Sequence, residues 1–347
     1  MRAAWNRVGS KTIAVALAVL VTAALLLASG ASPIESFRLI WQGSVGSGPK
    51  AADTLMAWVP LVLAASGLVV TFAAGLWNIG VEGQVVMGAI AASWVAREFH
   101  APSAAVITVA LIAGIIGGLL WGLFAGVLRV YGKVNEIFGG LGLDFVATGL
   151  VVYLVIGPWK RAGIASTSGT DPFPKEAWLP TVGDKLAPIA IVLAVLAVIA
   201  VYFLMRGTFF GLRLKAVGAN PASAYIIGLS TSRYLLSAMA ICGGLAGLGG
   251  AVQAIGFQHK LVPAISGGYG FLAILVVLLA GFRASLIAPI AFFFVMISVG
   301  GTQLSLRLGL NSSLGGVVQG TLVLLTVLVG GWQVRRARQR VRLEAEG

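Results

Sequence analysis

The stretch Gly75-Leu-Trp-Asn-Ile-Gly-Val-Glu-Gly-Gln84 decides how this chain is read, because it sets glycines, an amide pair and a carboxylate inside an otherwise lipid-compatible apolar run. Backbone that leaves helical geometry at membrane depth persists only where protein or a water-filled cavity covers it. A carboxylate near the bilayer centre costs about 2.5–3.5 kcal/mol even on insertion scales. Glu82 therefore marks either a functional position inside the membrane or, in the blander reading, a helix cap near a membrane surface.

The surrounding composition settles the class. Hydrophobic residues make up 59% of the 347 residues and charged residues 10%, with a mean hydropathy of +0.98, against about 25% charged in soluble domains. This is an all-α, polytopic integral membrane protein. Apolar runs near 12–29, 55–76, 104–128, 187–205, 235–257 and 314–332 each approach the roughly 20 residues that span a bilayer. Four further crossings are expected near 78–96, 136–157, 270–283 and 286–303, where Gly, Asn or Arg shortens the apolar stretch. The sum is about ten transmembrane helices, some broken or short, around a central pathway.

Most of the 24 basic residues fall in segments that alternate with the crossings when the amino terminus is placed inside, among them Arg129, Lys133, Arg206, Arg213, Lys215, Arg233, Arg283 and the Arg-rich tail. Acidic residues such as Glu98, Asp171 and Glu176 collect in the other loops. Because Lys and Arg in short loops are retained on the cytoplasmic side, both termini are expected in the cytoplasm. The whole of 1–347 reads as a single transmembrane domain, with a cytoplasmic loop at 211–234 and a basic tail at 333–347 that is solvated or meets anionic lipid head groups. The net charge of +13 is spread over interhelical loops, which argues against nucleic acid as a partner. The apolar run after Lys11 is longer than a signal-peptide core, so an uncleaved first helix is expected.

Several chemistries find no support. Cys242 is the single cysteine and sits in an apolar run, so it reads as a small buried hydrophobe. His100 and His259 have no partner ligand nearby in sequence, and Gly43-Ser-Val-Gly-Ser-Gly-Pro-Lys50 fails as a phosphate-binding loop at Pro49. No convergent nucleophile, acid–base pair or metal cluster is visible, so no enzymatic activity, metal or cofactor is assigned to the chain.

Glycine carries more information. Gly114, Gly118, Gly122 and Gly126 form a smooth stripe on one helix, and Gly243 and Gly247 repeat the spacing once. Such stripes admit close backbone approach, within the chain or at a subunit interface. The Gly-interrupted segment at Asn78–Gly83 has a coarse counterpart at Ser266-Gly-Gly-Tyr-Gly270. Paired interruptions of this kind point to a midplane transport site, although the second also reads as an ordinary outer loop. In the long loop, Asn220-Pro221 reads as a helix start, with Asn as cap and Pro at the first helical position. The short helix that follows, with Ala224 and the terminal Gly228, suits docking into a partner's groove.

Asn78-Ile-Gly-Val-Glu-Gly-Gln84, the segment from Arg213 to Gly228 with its Ala-Val-Gly-Ala-Asn-Pro core, and Gly243-Gly-Leu-Ala-Gly-Leu-Gly-Gly250 together resemble the permease subunits of bacterial nucleoside-type ABC importers, relatives of the ribose and branched-chain amino acid permeases. The resemblance runs from about Leu55 to Trp332 in motif order. It implies a multi-pass subunit of the bacterial cell membrane that translocates nucleosides, purine nucleosides first, or a related small polar solute. It also implies a second, related permease, cytoplasmic ABC ATPases that bind the ATP and Mg, and an extracytoplasmic lipid-anchored binding protein. On this resemblance Trp77, Asn78, Glu82, Gln84, Asn135 and Asp144 belong to the substrate pathway, and Gly218, Asn220, Pro221, Ala224 and Gly228 couple to the ATPase. Asp144 departs from the family's amide at its position, which suits a donor-rich ligand or a basic group on the partner. A different class stays open beside it, a secondary transporter using Glu82 and Asp144 as proton or cation sites.

Overall fold

The computed structural model describes residues 20–308 apart from 22, 25, 28, 29, 162, 164–167 and 184, together with 316, 317, 319–321, 323–325 and 328. Among the described residues the regular structure is helical, with one isolated bridge between Val182 and Leu186 and no strand. The helices are α1 (Pro33–Ser44), α2 (Gly48–Ala73), α3 (Val81–Glu98), α4 (Ser103–Val130), α5 (Glu136–Ile156), α6 (Pro188–Gly207), α7 (Phe209–Ala219), α8 (Pro221–Ile226), α9 (Thr231–Val252), α10 (Tyr269–Leu279) and α11 (Ile287–Leu308). A π-helical stretch, Gln253–Gln258, prolongs α9.

Six of these stretches are long and apolar enough to cross a membrane: Gly48–Ala73, Ser103–Val130, Glu136–Ile156, Pro188–Gly207, Thr231–Gln258 and Ala284–Thr302. The expected ten are not reached among the described residues, for identifiable reasons. The crossing placed at 78–96 is the 18-residue α3, which carries Glu82, Gln84, Ser93 and Arg97 and falls short of the six in apolarity. The crossing placed at 270–283 is α10, whose 11 residues rise only about 16 Å in a hydrocarbon layer about 30 Å thick. The runs at 12–29 and 314–332 lie largely outside the described residues. So does the basic tail at 333–347.

The chain forms two compact units, one from residues up to Thr54 and from Phe293 onward, the other from Leu55 to Phe292. In the first, the Thr54 hydroxyl donates to the Ser44 carbonyl at 2.7 Å, and Gln319 Nε2 donates to the Phe294 carbonyl at 2.7 Å. Gly300 lies so near the Ile40 backbone that a Cβ there would collide with it.

The second unit is organised by glycine. Gly118 lies against the backbone of Gly243 and Gly247, Gly122 against Met239, and Gly88 against Gly247, each too close for a Cβ. Gly247 of α9 is thus the point at which α3 and α4 both reach the same backbone. Gly250 adds a contact to the Val85 carbonyl, and Gly249 sits 3.2 Å, measured from the place of a Cβ, from Pro60 inside α2. The stripe on α4 is therefore consumed within the chain, which decides between the two readings its spacing allowed. On the opposite face α4 exposes Ile112, Ile116, Leu120 and Phe124 at four-residue spacing, an apolar surface suited to acyl chains. Helices in lipid gain nothing from simply hiding apolar side chains, so backbone proximity and dispersion must hold them together.

Replacing Gly247 by Leu inserts a side chain where two helices touch backbone to backbone, beyond the roughly 1–3 kcal/mol typical of overpacking. The expected outcome is loss of the monodisperse peak in fluorescence-detected size exclusion. Gly149→Leu, at a position with nothing within 4 Å, is expected to leave that peak in place.

Candidate functional site

α3 starts without a side-chain cap of its own: Gly80 occupies the N-cap position. The first N–H groups of a helix lack intrahelical partners, and in a buried setting each must find one. Asp144 supplies it, its Oδ1 accepting from the Gly83 N–H at 2.7 Å. Asp144 lies eight residues beyond the start of α5, about 12 Å along the axis. It can come so close because Gly80 and Gly140 face one another; a Cβ on Gly140 would stand 2.6 Å from the Gly80 nitrogen. Gly83 is needed for the same reason, since a Cβ there would lie 2.8 Å from Asp144 Oδ1 and 2.9 Å from Trp121 Nε1.

The arrangement is repeated one helix further on. Glu82, in the first turn of α3, accepts through Oε2 from the Gly270 N–H at 2.7 Å. The Ser266 hydroxyl and the N–H groups of Gly268 and Phe271 surround the same carboxylate. Gly270 is the second residue of α10, so Glu82 caps the short helix that cannot span the bilayer. The two Gly-interrupted segments of the sequence thus meet. Each carboxylate also faces the positive end of a helix dipole, an interaction worth up to about 2 kcal/mol when partly buried.

Asn78 and Gln84 close the cluster by exchanging amide hydrogen bonds, Nδ2 to Oε1 and Nε2 to Oδ1, both at 3.2 Å. Asn78 Nδ2 also donates to Cys242 Sγ at 3.1 Å. Asn78, Glu82, Gln84 and Asp144 are all buried. Two polar atoms beside them have no hydrogen-bond partner among the described residues, Asp144 Oδ2 and Trp121 Nε1. One is an acceptor and the other a donor, which is the pair a hydroxyl-bearing solute or a water would satisfy. The described residues contain no group of three or more His, Cys, Asp or Glu placed to hold a metal ion.

Two expected pathway residues stand apart. Trp77 is 44% exposed and packs on Phe72, ring centroids 5.2 Å apart. Asn135 is exposed and caps α5, its Oδ1 accepting from the N–H groups of Ile137 and Phe138. Sequence reasoning passed over Trp121 and the Cys242 sulfur. Trp121 offered one signal, an indole donor between Gly118 and Gly122 in the middle of an apolar helix.

The loop that the sequence marks at 211–234 begins with two helices, α7 and α8. Asn220 caps α8, its Oδ1 accepting from the Ser223 N–H at 3.1 Å, and Pro221 is the first helical residue. The helix ends at Gly228, whose φ of +84° is the left-handed conformation favoured after a helix. Its N–H bonds the Tyr225 carbonyl while the Leu229 N–H bonds that of Ala224, both at 3.0 Å, a Schellman arrangement. Ala224 is buried, whereas Tyr225, Ile226 and Ile227 project with 72–82% exposure. Gly218, at the end of α7, lies directly on the backbone of Ala73, Ala74 and Gly75, too close for a Cβ. The loop therefore touches the first residue of the stretch that leads to Asn78, Glu82 and Gln84.

These features define a multi-pass helical membrane protein whose interrupted segments are joined by internal carboxylates and whose loop helices press on the head of that site. The chain belongs to the family described as the branched-chain amino acid transport system / permease component, whose model matches residues 51–327. It is 30% identical to the glucose ABC transporter permease protein TsgB13 of Haloferax volcanii, over 93% of this chain and 88% of the relative. It is 29% identical to the guanosine ABC transporter permease protein NupP of Bacillus subtilis, over 90% of each chain. The nucleoside ABC transporter permease protein NupB of Lactococcus lactis subsp. cremoris is 28% identical over 78% of this chain and 77% of its own.

Asp144→Leu leaves the Gly83 N–H buried without an acceptor, at a cost of about 1–3 kcal/mol, whereas Asp144→Asn retains one. Thermal unfolding of the detergent-purified protein is expected to show a clear drop in midpoint for the Leu variant and a smaller one for Asn.

Proposed function

We propose that this chain is the membrane-spanning permease subunit of an ABC importer for nucleosides, purine nucleosides first, and that ATP hydrolysed by partner subunits drives it. The observation that carries the reading is the family match across residues 51–327, supported by the guanosine and nucleoside permeases among its relatives. The glucose permease relative favours a second reading of the same architecture, import of a sugar. Both solutes present a ring of hydroxyl groups, for which the unmatched Asp144 Oδ2 and Trp121 Nε1 offer an acceptor and a donor.

In this reading both termini are cytoplasmic, a second permease completes the pathway, and an extracytoplasmic binding protein delivers the solute. The exposed Tyr225, Ile226 and Ile227 of α8 enter a groove of the ATPase. Asn220, Pro221 and Gly228 fix the ends of that helix, and Ala224 seats it on the body of the permease. Movement passes through Gly218 to Gly75 and so to the segment that holds Glu82. Trp77 and Asn135 line the approach, while Asn78, Gln84, Glu82 and Asp144 hold the helix ends that border the path. A proton- or cation-coupled carrier is less well supported, because Glu82 and Asp144 are both engaged by helix N-terminal N–H groups.

Uptake of labelled guanosine and uridine, with and without the gene and in the presence of unlabelled glucose, ribose or branched-chain amino acids, tests the substrate. Gene-dependent guanosine uptake that glucose does not compete is expected; gene-dependent glucose uptake instead would transfer the assignment to a sugar. Glu82→Ala removes the acceptor for the α10 N-terminus and is expected to reduce uptake about tenfold, the equivalent of one lost buried hydrogen bond to a charged group. Glu82→Gln should retain a measurable fraction. Gly228→Val forces a β-branched residue into a left-handed position at about 1–2 kcal/mol. It is expected to separate ATP hydrolysis from uptake in proteoliposomes while membrane insertion persists.

A further inference from the structure

A second polar feature lies away from the carboxylate cluster. A cavity of about 190 Å3 opens between the ends of α2, α6 and α7 and the turn that leads into α11. Three cations border it, each from a different element: Arg206 at the end of α6, Lys215 in α7 and Arg283 in the turn. No Asp or Glu lines it. Clustered like charges repel one another, so a trio with no acidic side chain beside it calls for a counter-charge.

The trio is partly pre-organised. Arg206 lies over the Tyr202 ring, 5.2 Å from its centroid, and donates to the Tyr202 hydroxyl at 2.9 Å. Lys215 Nζ is tethered to the Met205 carbonyl, leaving further protons to donate. Ala284 and Ser285 also line the cavity. Cationic side chains from three separate elements thus border one small cavity, which suits the charged oxygens of a phosphate.

The surroundings say which phosphate. Phe203 and Ile199 stand one and two turns before Arg206 on the same face of α6 and are 61% and 45% exposed. α6 is apolar along its whole length, with only 28% of its spanning window buried. A headgroup seated among Arg206, Lys215 and Arg283 would have its acyl chains directly against Ile199 and Phe203. A free phosphate would use the first feature and leave the second without purpose.

We propose that this cavity binds the phosphate headgroup of an anionic phospholipid, with the chains lying along α6. It anchors the α6–α7 junction, and hence the helix that carries Gly218, to the membrane surface. The site is independent of which solute is imported.

The test is a titration of the full chain, purified in a neutral maltoside detergent, with short-chain phosphatidylglycerol, phosphatidylcholine and inorganic phosphate, read by thermal shift and by native mass spectrometry of retained lipid. Phosphatidylglycerol is expected to raise the melting temperature and stay bound, phosphatidylcholine and phosphate to do neither. Neutralising all three cations, as Arg206→Gln, Lys215→Gln and Arg283→Gln together, is expected to weaken phosphatidylglycerol binding about a hundredfold, at roughly a factor of five per basic residue. Arg283→Gln alone, at an exposed turn, should give a several-fold loss with the fold intact. A companion variant with Arg335, Arg336 and Arg338 changed to Gln should retain the bound lipid, which separates the cavity from the tail. Equal binding by the triple variant, or no preference for phosphatidylglycerol over phosphatidylcholine, would overturn the proposal. A matching shift from inorganic phosphate would reassign the cavity to a free anion. Loss of ATPase association in the triple variant, without any lipid preference in the parent, would assign it to the partner protein.

Discussion

A helix that begins inside a membrane exposes N–H groups where no water can reach them, and this single constraint organises the second unit of the protein. α3 and α10 both begin in this way, after segments too rich in glycine to continue as helix. Each receives a carboxylate from a different helix: Asp144 of α5 serves Gly83, and Glu82 of α3 serves Gly270. The chain of capping runs α5 to α3 to α10, so the position of the short helix depends on the position of the long one. Isolated carboxylates at this depth would be costly; bonded to backbone N–H groups at the positive ends of helices, they are compensated. Glu82 is thus a helix cap, but of α10 rather than of the helix that carries it.

Glycine provides the second half of the explanation. Gly80 against Gly140, Gly83 against Asp144 and Trp121, and Gly270 against Glu82 are close approaches without which the carboxylates would not reach their donors. Gly88, Gly118 and Gly247 set the backbone distances of α3, α4 and α9 on which that geometry rests. Gly75, with φ of +77°, lets the chain leave α2 and pass under Gly218. The loop helix α7 and the segment that begins at Gly75 thus meet backbone to backbone, as α3, α4 and α9 do at Gly247, and such packed contacts leave few alternative positions.

Much of this was legible beforehand where the cause is local. The apolar composition establishes the membrane class, and Asn220-Pro221 marks a helix start because capping and a preset φ act within three residues. The interrupted runs at Asn78–Gly83 and Ser266–Gly270 were recognisable as breaks because glycine and polar residues interrupt a lipid-compatible pattern. Hydropathy carries the α10 crossing on through Phe282 because it does not register the turn at Ala280 and Gly281 that ends the helix. The sequence leads one to expect a ligand or a basic partner at Asp144; in the structure its Oδ1 accepts from an N–H 61 residues away, while Oδ2 has no hydrogen-bond partner among the described residues.

The sequence by itself determined the solvent this protein folds in and the places where its helices must break, because transfer free energies and backbone propensities are properties of short segments. It also determined which residues are small enough to permit close contact. Only the tertiary structure decided the pairings: that the α4 stripe meets α9 rather than another subunit, that Glu82 and Gly270 share a hydrogen bond, and that Asn135 is a cap while Asp144 is buried. Such pairings depend on the relative placement of whole helices, and no local pattern encodes which of several compatible N–H groups a buried carboxylate will find.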